Sequence, residues 1–390
     1  MSKLEELIQR YCPDGVEWST IGDVCQKVFA GGTPTSSNSS YYGGDIPWLR
    51  SGEVNFNEIT STEKTITEEG YNSSSARWVE SRSVLVAMTG ATVARSAITL
   101  IELTANQSVC ALTPKRDILN YRYLFYWISK SYIQMKGMAQ GALTSLNLNL
   151  IKSLEIPIPP LPVQEEIVRV LDTFTELQAE LQAELQAELQ KRLQQYNYYR
   201  DKLLSFDGRT DVEWKKLGEV SYVLRGKRLT KSQLSEDGKY KVFHGGIDPI
   251  GFFEQFNREG STTMVINVGA SAGTVGFSKE RFWSSDGCFC LSHSSLFSGR
   301  YLYYYLQTKE PYLMSRVRRA GIPTLDGKVL EELLIPVPSI SEQQRIVDVL
   351  DRFDTLTCDL VAGLPAEIEK RRQQYEFYRD KLLTFKRKEA

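Results

Sequence analysis

Histidine is scarce: His244 and His293 are the only two in 390 residues. Chemistry that uses imidazole as a proton shuttle or metal ligand has little to draw on, and both residues read as turn or packing histidines. The six cysteines, Cys12, Cys25, Cys110, Cys288, Cys290 and Cys358, follow no disulfide rhythm, which fits reduced thiols in a cytoplasmic protein. No Cys-x-x-Cys pair is present, and Cys288-x-Cys290 is too tight and isolated for zinc, so no metal site is expected. HExxH, a Walker A loop and the Asn/Asp-Pro-Pro-Tyr/Phe motif of adenine methylation are all missing, so no catalytic residue is expected. No apolar run approaches the ~20 residues that cross a bilayer, which excludes a spanning helix and any membrane partner. Glu5 and Glu6 stand where an export signal needs a basic stretch. Net charge is lacking too: 47 basic residues face 48 acidic ones, for −1 overall. That excludes holding nucleic acid by bulk charge alone and leaves local patches open.

What is present is a folded composition, 42% hydrophobic and 24% charged, in a chain long enough for two domains and a connection. It contains an internal repeat. Residues 157–206 align without a gap on 336–385 at an offset of 179, with 27 of 50 positions identical. A weaker echo links Val16-Glu17-Trp18 to Val212-Glu213-Trp214 at an offset of 196. The division is therefore 1–156, 157–206, 207–335 and 336–385, with a tail at 386–390.

Each repeat reads as one long helix. The first opens after Pro160 and Pro162, and the second with the capping-box pattern Ser341-Glu342-Gln343-Gln344. About 43 helical residues at 1.5 Å each span roughly 64 Å, the length of a spacer rather than of a domain. Inside the first helix a Leu-Gln-Ala-Glu unit recurs from Leu177 through Leu181 and Leu185 to Leu189. Leucines four apart drift by about 40° per step, so the stripe winds around the rod and suits a facing helix. The second repeat, with Leu350, Phe353, Leu356, Leu360 and Ile368, is the natural partner. Its Gly363 and Pro365 are expected to kink or break it.

Residues 15–156 and 207–335 share a texture of short β-type runs, such as 83–88, 97–101 and 263–268, separated by turn-rich stretches. Each also has an aromatic helical run, 121–132 and 301–313. The fold class is α+β, with two globular domains of similar plan. Gly90-Ala91-Thr92-Val93 and the glycine-rich 269–276 read as strand-to-strand turns, since neither has a phosphate-cradle spacing. The charge by segment runs −1, −3, +3 and 0, so 207–335 is the most basic. Its cations cluster at Arg225-Gly226-Lys227-Arg228 and at Arg316-Val317-Arg318-Arg319. At the repeat offset Arg319 falls opposite Gln140. Arg bridges guanine O6 and N7, and Gln bridges adenine N6 and N7. The DNA-binding candidates, whether for bases or phosphates, are Thr33, Ser36, Asn38, Arg50, Gly90, Thr92, Arg95, Lys136 and Gln140 in the first domain. Those in the second are Arg225, Lys227, Arg228, His244, Lys279, Arg316, Arg318 and Arg319. A solvated cationic surface explains the same residues, and a coiled-coil scaffold or adaptor without DNA specificity explains the same helices.

The pattern resembles the specificity subunit of Type I restriction–modification enzymes over nearly the whole chain. The resemblance rests most on the two helices ending in Gln-Gln-Tyr-x-Tyr/Phe-Tyr-Arg-Asp-Lys-Leu-Leu (194–204 and 373–383). The Ile-Pro-Ile/Val-Pro lead-in (156–159 and 335–338) and Gly31-Gly32-Thr33-Pro34 followed by Ile46-Pro47-Trp48 add to it. The tetrapeptide unit is similar to the subfamily with repeats in its central spacer, which carries Thr-Ala-Glu-Leu where this chain has Leu-Gln-Ala-Glu. The resemblance implies two target recognition domains at opposite ends of an antiparallel helical spacer, related by a pseudo-two-fold axis. Each would read half of an asymmetric, bipartite DNA site. It also implies two methyltransferase subunits that use S-adenosylmethionine to methylate adenine, and motor-nuclease subunits that cut unmodified DNA. This chain would be non-catalytic and bind no cofactor itself. Gln164, Glu165, Gln343 and Gln344, at the helix starts, are the candidate methyltransferase contacts, and residues 1–10 are expected to cover the end of the last helix.

Overall fold

A computed structural model describes residues 2–139, 145–292 and 294–389; at 356–362, 364 and 365 it describes the backbone alone. Helices and sheets are mixed throughout, and the chain forms two units: Met1–Ala183 with Ala366–Ala390, and Glu184–Pro365. Each unit takes a globular part plus portions of both long helices.

The long helices run Leu161–Leu204 and Ile340–Leu382, 44 and 43 residues. The first begins at Leu161, so Pro162 lies inside its first turn rather than ahead of it, and it ends at Leu204, short of Phe206. The second passes through Gly363 and Pro365 without the expected break: a missing N–H removes one rung, and the rungs on either side persist.

In the first unit, Cys25–Ala30, Val109–Pro114, Val84–Ala87, Ser96–Thr99 and Asn57–Ile59 lie side by side in that order as a five-stranded sheet. A second sheet joins Thr65–Ile66, Tyr42–Leu49, Leu103–Ala105 and Trp78–Val79. The middle strands of the first sheet are buried on both faces, which explains their continuous rather than alternating apolar runs. The second unit has a four-stranded sheet of Val223–Arg225, Cys288–Leu291, Thr262–Ile266 and Val275–Ser278. Beside it stands a three-stranded one of Pro249–Phe253, Tyr240–Phe243 and Phe282–Ser284.

The aromatic runs form helices Tyr121–Lys130 and Gly299–Thr308, capped by Asn120 and Ser298. Each is followed by a separate short helix, Tyr132–Met138 and Glu310–Ser315. Their tyrosines lock onto the lead-in of the long helices: Tyr123 donates to the Pro157 carbonyl and Tyr301 to the Pro336 carbonyl, each at 3.1 Å. The Val-Glu-Trp echo now has a partner. Glu17–Thr20 pairs antiparallel with Glu155–Ile158, and Glu213–Lys216 with Leu334–Val337, so Trp18 opposes Pro157 and Trp214 opposes Pro336.

In the first unit, the helix Lys3–Tyr11 puts Leu4, Leu7 and Ile8 into one core with Leu382, Leu383 and Phe385. Val16 exchanges backbone hydrogen bonds with Lys386 and Lys388, both at 2.9 Å. The first residues thus cover the end of the last helix.

Candidate DNA interface

Close backbone approach builds the site in each unit. Gly31 and Gly226 follow the first strand of their sheets, and an added Cβ would fall 2.0 Å from the Ala105 and Ser285 carbonyl oxygens respectively. Only glycine fits. The next carbonyl is then held by an indole: Trp48 donates to Gly32 at 3.0 Å and Trp283 to Lys227 at 2.8 Å. The same turn therefore presents Thr33 in one unit and Lys227-Arg228 in the other.

In the first unit this turn lies at the sheet end where Val84–Ala87 and Ser96–Thr99 are joined through Gly90–Arg95. Thr92 donates to the Ser51 carbonyl at 2.8 Å, and Arg95 to the Asn55 side chain at 2.8 Å. Arg50, Gly90, Thr92 and Arg95 are thereby brought onto one surface. Lys136 joins them at one remove: its ammonium stands 5.5 Å from the Tyr132 ring, which meets Phe56 edge-on. Arg50 is ion-paired with Glu63, so part of its charge is already used. Thr33 bonds to Gln107. Asn38 accepts from Ser40 and caps a short turn, and Ser36 is among the exposed residues of that loop. Gln140 lies outside the described residues.

In the second unit three loops converge at the corresponding end. The Gly269 N–H donates to the Pro323 carbonyl at 2.9 Å, and Val268 bridges to Thr324, which in turn pairs with Arg318. A hairpin of residues 318–324 results, closed by the Arg318–Thr324 pair, with Arg318 exposed at its base and Arg319 and Ile322 exposed beyond it. His244 is 3.4 Å from the Asp286 carboxylate, beside the Arg225–Arg228 turn. Arg316 lies over the Tyr312 ring at 5.0 Å. Lys279 does not belong to this group. It pairs with Ser261 at the other end of the hairpin formed by Thr262–Ile266 and Val275–Ser278, a strand length of roughly 15 Å away. Sequence reasoning missed Asp286 and Ile322, although Asp286-Gly287 and Gly321-Ile322-Pro323 are turn signals.

The helix-start candidates divide. Gln164 and Gln343 are buried, and their amides are spent on the Pro159, Ile118, Pro338 and Leu296 carbonyls, so neither is free for another protein. Glu165 and Gln344 are exposed. Along the leucine stripe Leu177 is exposed, and Leu181, Leu185 and Leu189 are half-buried. Among the described residues no cluster of His, Cys, Asp and Glu is placed to hold a metal ion, and no helix is long and apolar enough to cross a membrane.

The family model for the Type I restriction modification DNA specificity domain matches residues 13–191 and 210–370. The chain belongs to this family. It is 33% identical over 394 aligned positions to a putative type I restriction enzyme specificity subunit of Haemophilus influenzae, covering 95% of this chain and 96% of that one. It is 31% identical over 299 positions to the Type I restriction enzyme EcoR124I/EcoR124II specificity subunit of Escherichia coli, covering 69% and 72%. Among solved structures it resembles a chain of the type I restriction–modification system, with TM-score 0.77, 19% identity and coverage of 95% and 98%. The HsdS subunit from Thermoanaerobacter tengcongensis is similar at TM-score 0.57 and 19% identity, over 96% and 97% of the two chains. These two likenesses concern the fold. The family supplies DNA sequence specificity to restriction–modification enzymes, which is the role of this chain.

Proposed function

We propose that the two domains, 1–156 and 207–335, are target recognition domains that each read one half of an asymmetric, bipartite double-stranded DNA site in the major groove. The carrying observation is that the candidate readers gather at one end of the sheet in each unit. They are Thr33, Ser36, Arg50, Gly90, Thr92, Arg95 and Lys136 in one, and Arg225, Lys227, Arg228, His244, Arg316, Arg318 and Arg319 in the other. Different side chains on a like framework read different half-sites.

Residues 157–206 and 336–385 act as an antiparallel coiled-coil spacer under a pseudo-two-fold relation, and the Leu-Gln-Ala-Glu units place the chain in the tetrapeptide-repeat subfamily. Adding or removing one unit changes the length by about 6 Å and the angle by about 40°, so a matching change in half-site separation restores the fit. The chain is non-catalytic. In the cytoplasm it carries two methyltransferase subunits that use S-adenosylmethionine, with Glu165 and Gln344 among the contacts, and motor-nuclease subunits complete the restriction complex. Partner subunits supply phosphate-neutralising charge that a chain of net −1 lacks.

The test is the map of methylated adenines in cells with and without the chain. A bipartite motif that vanishes on deletion supports the reading, and an unchanged map rejects it in favour of a scaffold without DNA specificity. Arg318→Ala should relax one half-site and leave the other intact.

A further inference from the structure

We infer that a paired Arg–Asp–Tyr clamp, Arg122–Asp172–Tyr126 in one unit and Arg300–Asp351–Tyr304 in the other, positions each domain on its long helix and so restricts the chain to a single half-site separation. The inference rests on the DNA-specificity reading. Arg122 and Tyr126 are four apart on the helix Tyr121–Lys130 and share a face. Both donate to one oxygen of Asp172, on the first long helix, at 3.0 and 2.5 Å. Arg122 reaches Glu58 with its other nitrogen. In the second unit Arg300 and Tyr304 are again four apart, and both donate to one oxygen of Asp351 at 2.7 and 2.5 Å. Arg300 also bonds to Asp354 at 2.8 Å, one turn further along the same helix.

Besides the clamp, the seam holds the neutral hydrogen bonds of Gln164 and Gln343 at the very start of each long helix; two turns further on, at the clamp, its other contacts are apolar, as with Tyr123 and Leu171 in one core and Tyr301 and Leu350 in the other. Apolar burial is non-directional and sets no angle. Charge-assisted hydrogen bonds to a carboxylate are short and directional, and do set one. The angle matters because successive base pairs differ by about 34° and 3.4 Å. A domain free to roll on its helix by that much would accept the neighbouring separation as readily as its own. Arg122, Asp172, Arg300 and Asp351 are therefore positioning residues; they do not read bases.

The full chain, produced with its methyltransferase partner, is mapped for methylated adenine as the native protein, as Tyr126→Phe/Tyr304→Phe and as Arg122→Gln/Arg300→Gln. The native chain should give one half-site pair at one separation. In the variants the half-sites should stay the same, while methylation at separations one base pair longer or shorter rises at least tenfold above native background. The tyrosine variant removes one hydroxyl per clamp and keeps the test available if the arginine variant does not fold. A folded variant that keeps a single separation, or that loses methylation uniformly, overturns the inference while leaving the DNA-specificity reading intact. A native chain that gives no bipartite motif overturns both.

Discussion

Asn120 donates its backbone N–H to the side-chain oxygen of Gln164 at 2.8 Å, so the cap of the aromatic helix and the first turn of the long helix form one joint. The Gln164 amide nitrogen donates at 2.8 Å to Ile118 and 2.7 Å to Pro159. Ser298 and Gln343 repeat the arrangement at 3.1 Å. An identity at the repeat offset, which as sequence suggested a contact with another subunit, is an internal fastener.

Gln164→Ala should therefore cost about 3 kcal/mol, because it strands a buried N–H and two carbonyls without partners. Gln164→Glu should cost more at neutral pH, since it turns an oxygen toward two carbonyls and buries a charge. Urea unfolding of the full chain checks both. A Glu variant as stable as the native chain would show that the amide is not the donor.

Glu166 gives a pH prediction. The Arg169 hydrogen bond, against the opposing pull of burial, and then the Lys3 hydrogen bond hold its carboxyl at about 2, below an ordinary 4.5. A depressed folded value stabilises above the unfolded one and is lost on acidification. The native chain should exceed Glu166→Gln by about 1 kcal/mol at pH 7, since both cationic partners are largely exposed. The difference should shrink as pH falls from about 4.5 toward 2. Paired unfolding curves across that window settle it.

Four thiols, those of Cys25, Cys110, Cys288 and Cys290, should be inert in the folded chain. Burial pushes Cys25 and Cys288 up to about 12, and raises Cys110 and Cys290 as well. At pH 8 the thiolate of Cys25 or Cys288 is then roughly one part in ten thousand. Mass spectrometry after iodoacetamide should find these four unlabelled in the native chain and labelled in urea.

The long helices and the strand-to-strand turns were legible in the sequence because they rest on local pattern: helix-forming runs without a break, Gly-rich turns and aromatic runs. Which residues share a surface was not. Lys279 and His244 both follow a strand directly in the sequence, but the two strands belong to different sheets, and only the register of Thr262–Ile266 with Val275–Ser278 shows that Lys279 lies at the end away from the 267–274 turn. Gln164 carries a polar side chain on a helix start, and only the packing of Ile118 and Pro159 against it decides that it is buried. Of the kink or break expected at Gly363 and Pro365, the break does not occur, because propensity is local and the helix on either side is long enough to carry one missing rung.

Glycine substitutions separate close approach from mere glycine content. Gly226→Ala places a Cβ 2.0 Å from the Ser285 oxygen and 2.4 Å from that of Ser284. Neither backbone oxygen can yield without disturbing the turn that carries Arg225, Lys227 and Arg228. A loss of about 2 kcal/mol is expected, together with loss of the half-site assigned to residues 207–335. Gly31→Ala, 2.0 Å from the Ala105 oxygen, should instead disturb the half-site assigned to residues 1–156. Gly246 lies two residues from His244 with nothing within 4 Å of an added Cβ, so Gly246→Ala should unfold at the native midpoint. Thermal unfolding beside the methylated-adenine map distinguishes the three. Equal effects from Gly226→Ala and Gly246→Ala would mean that backbone freedom, rather than contact with Ser285, is what the turn requires.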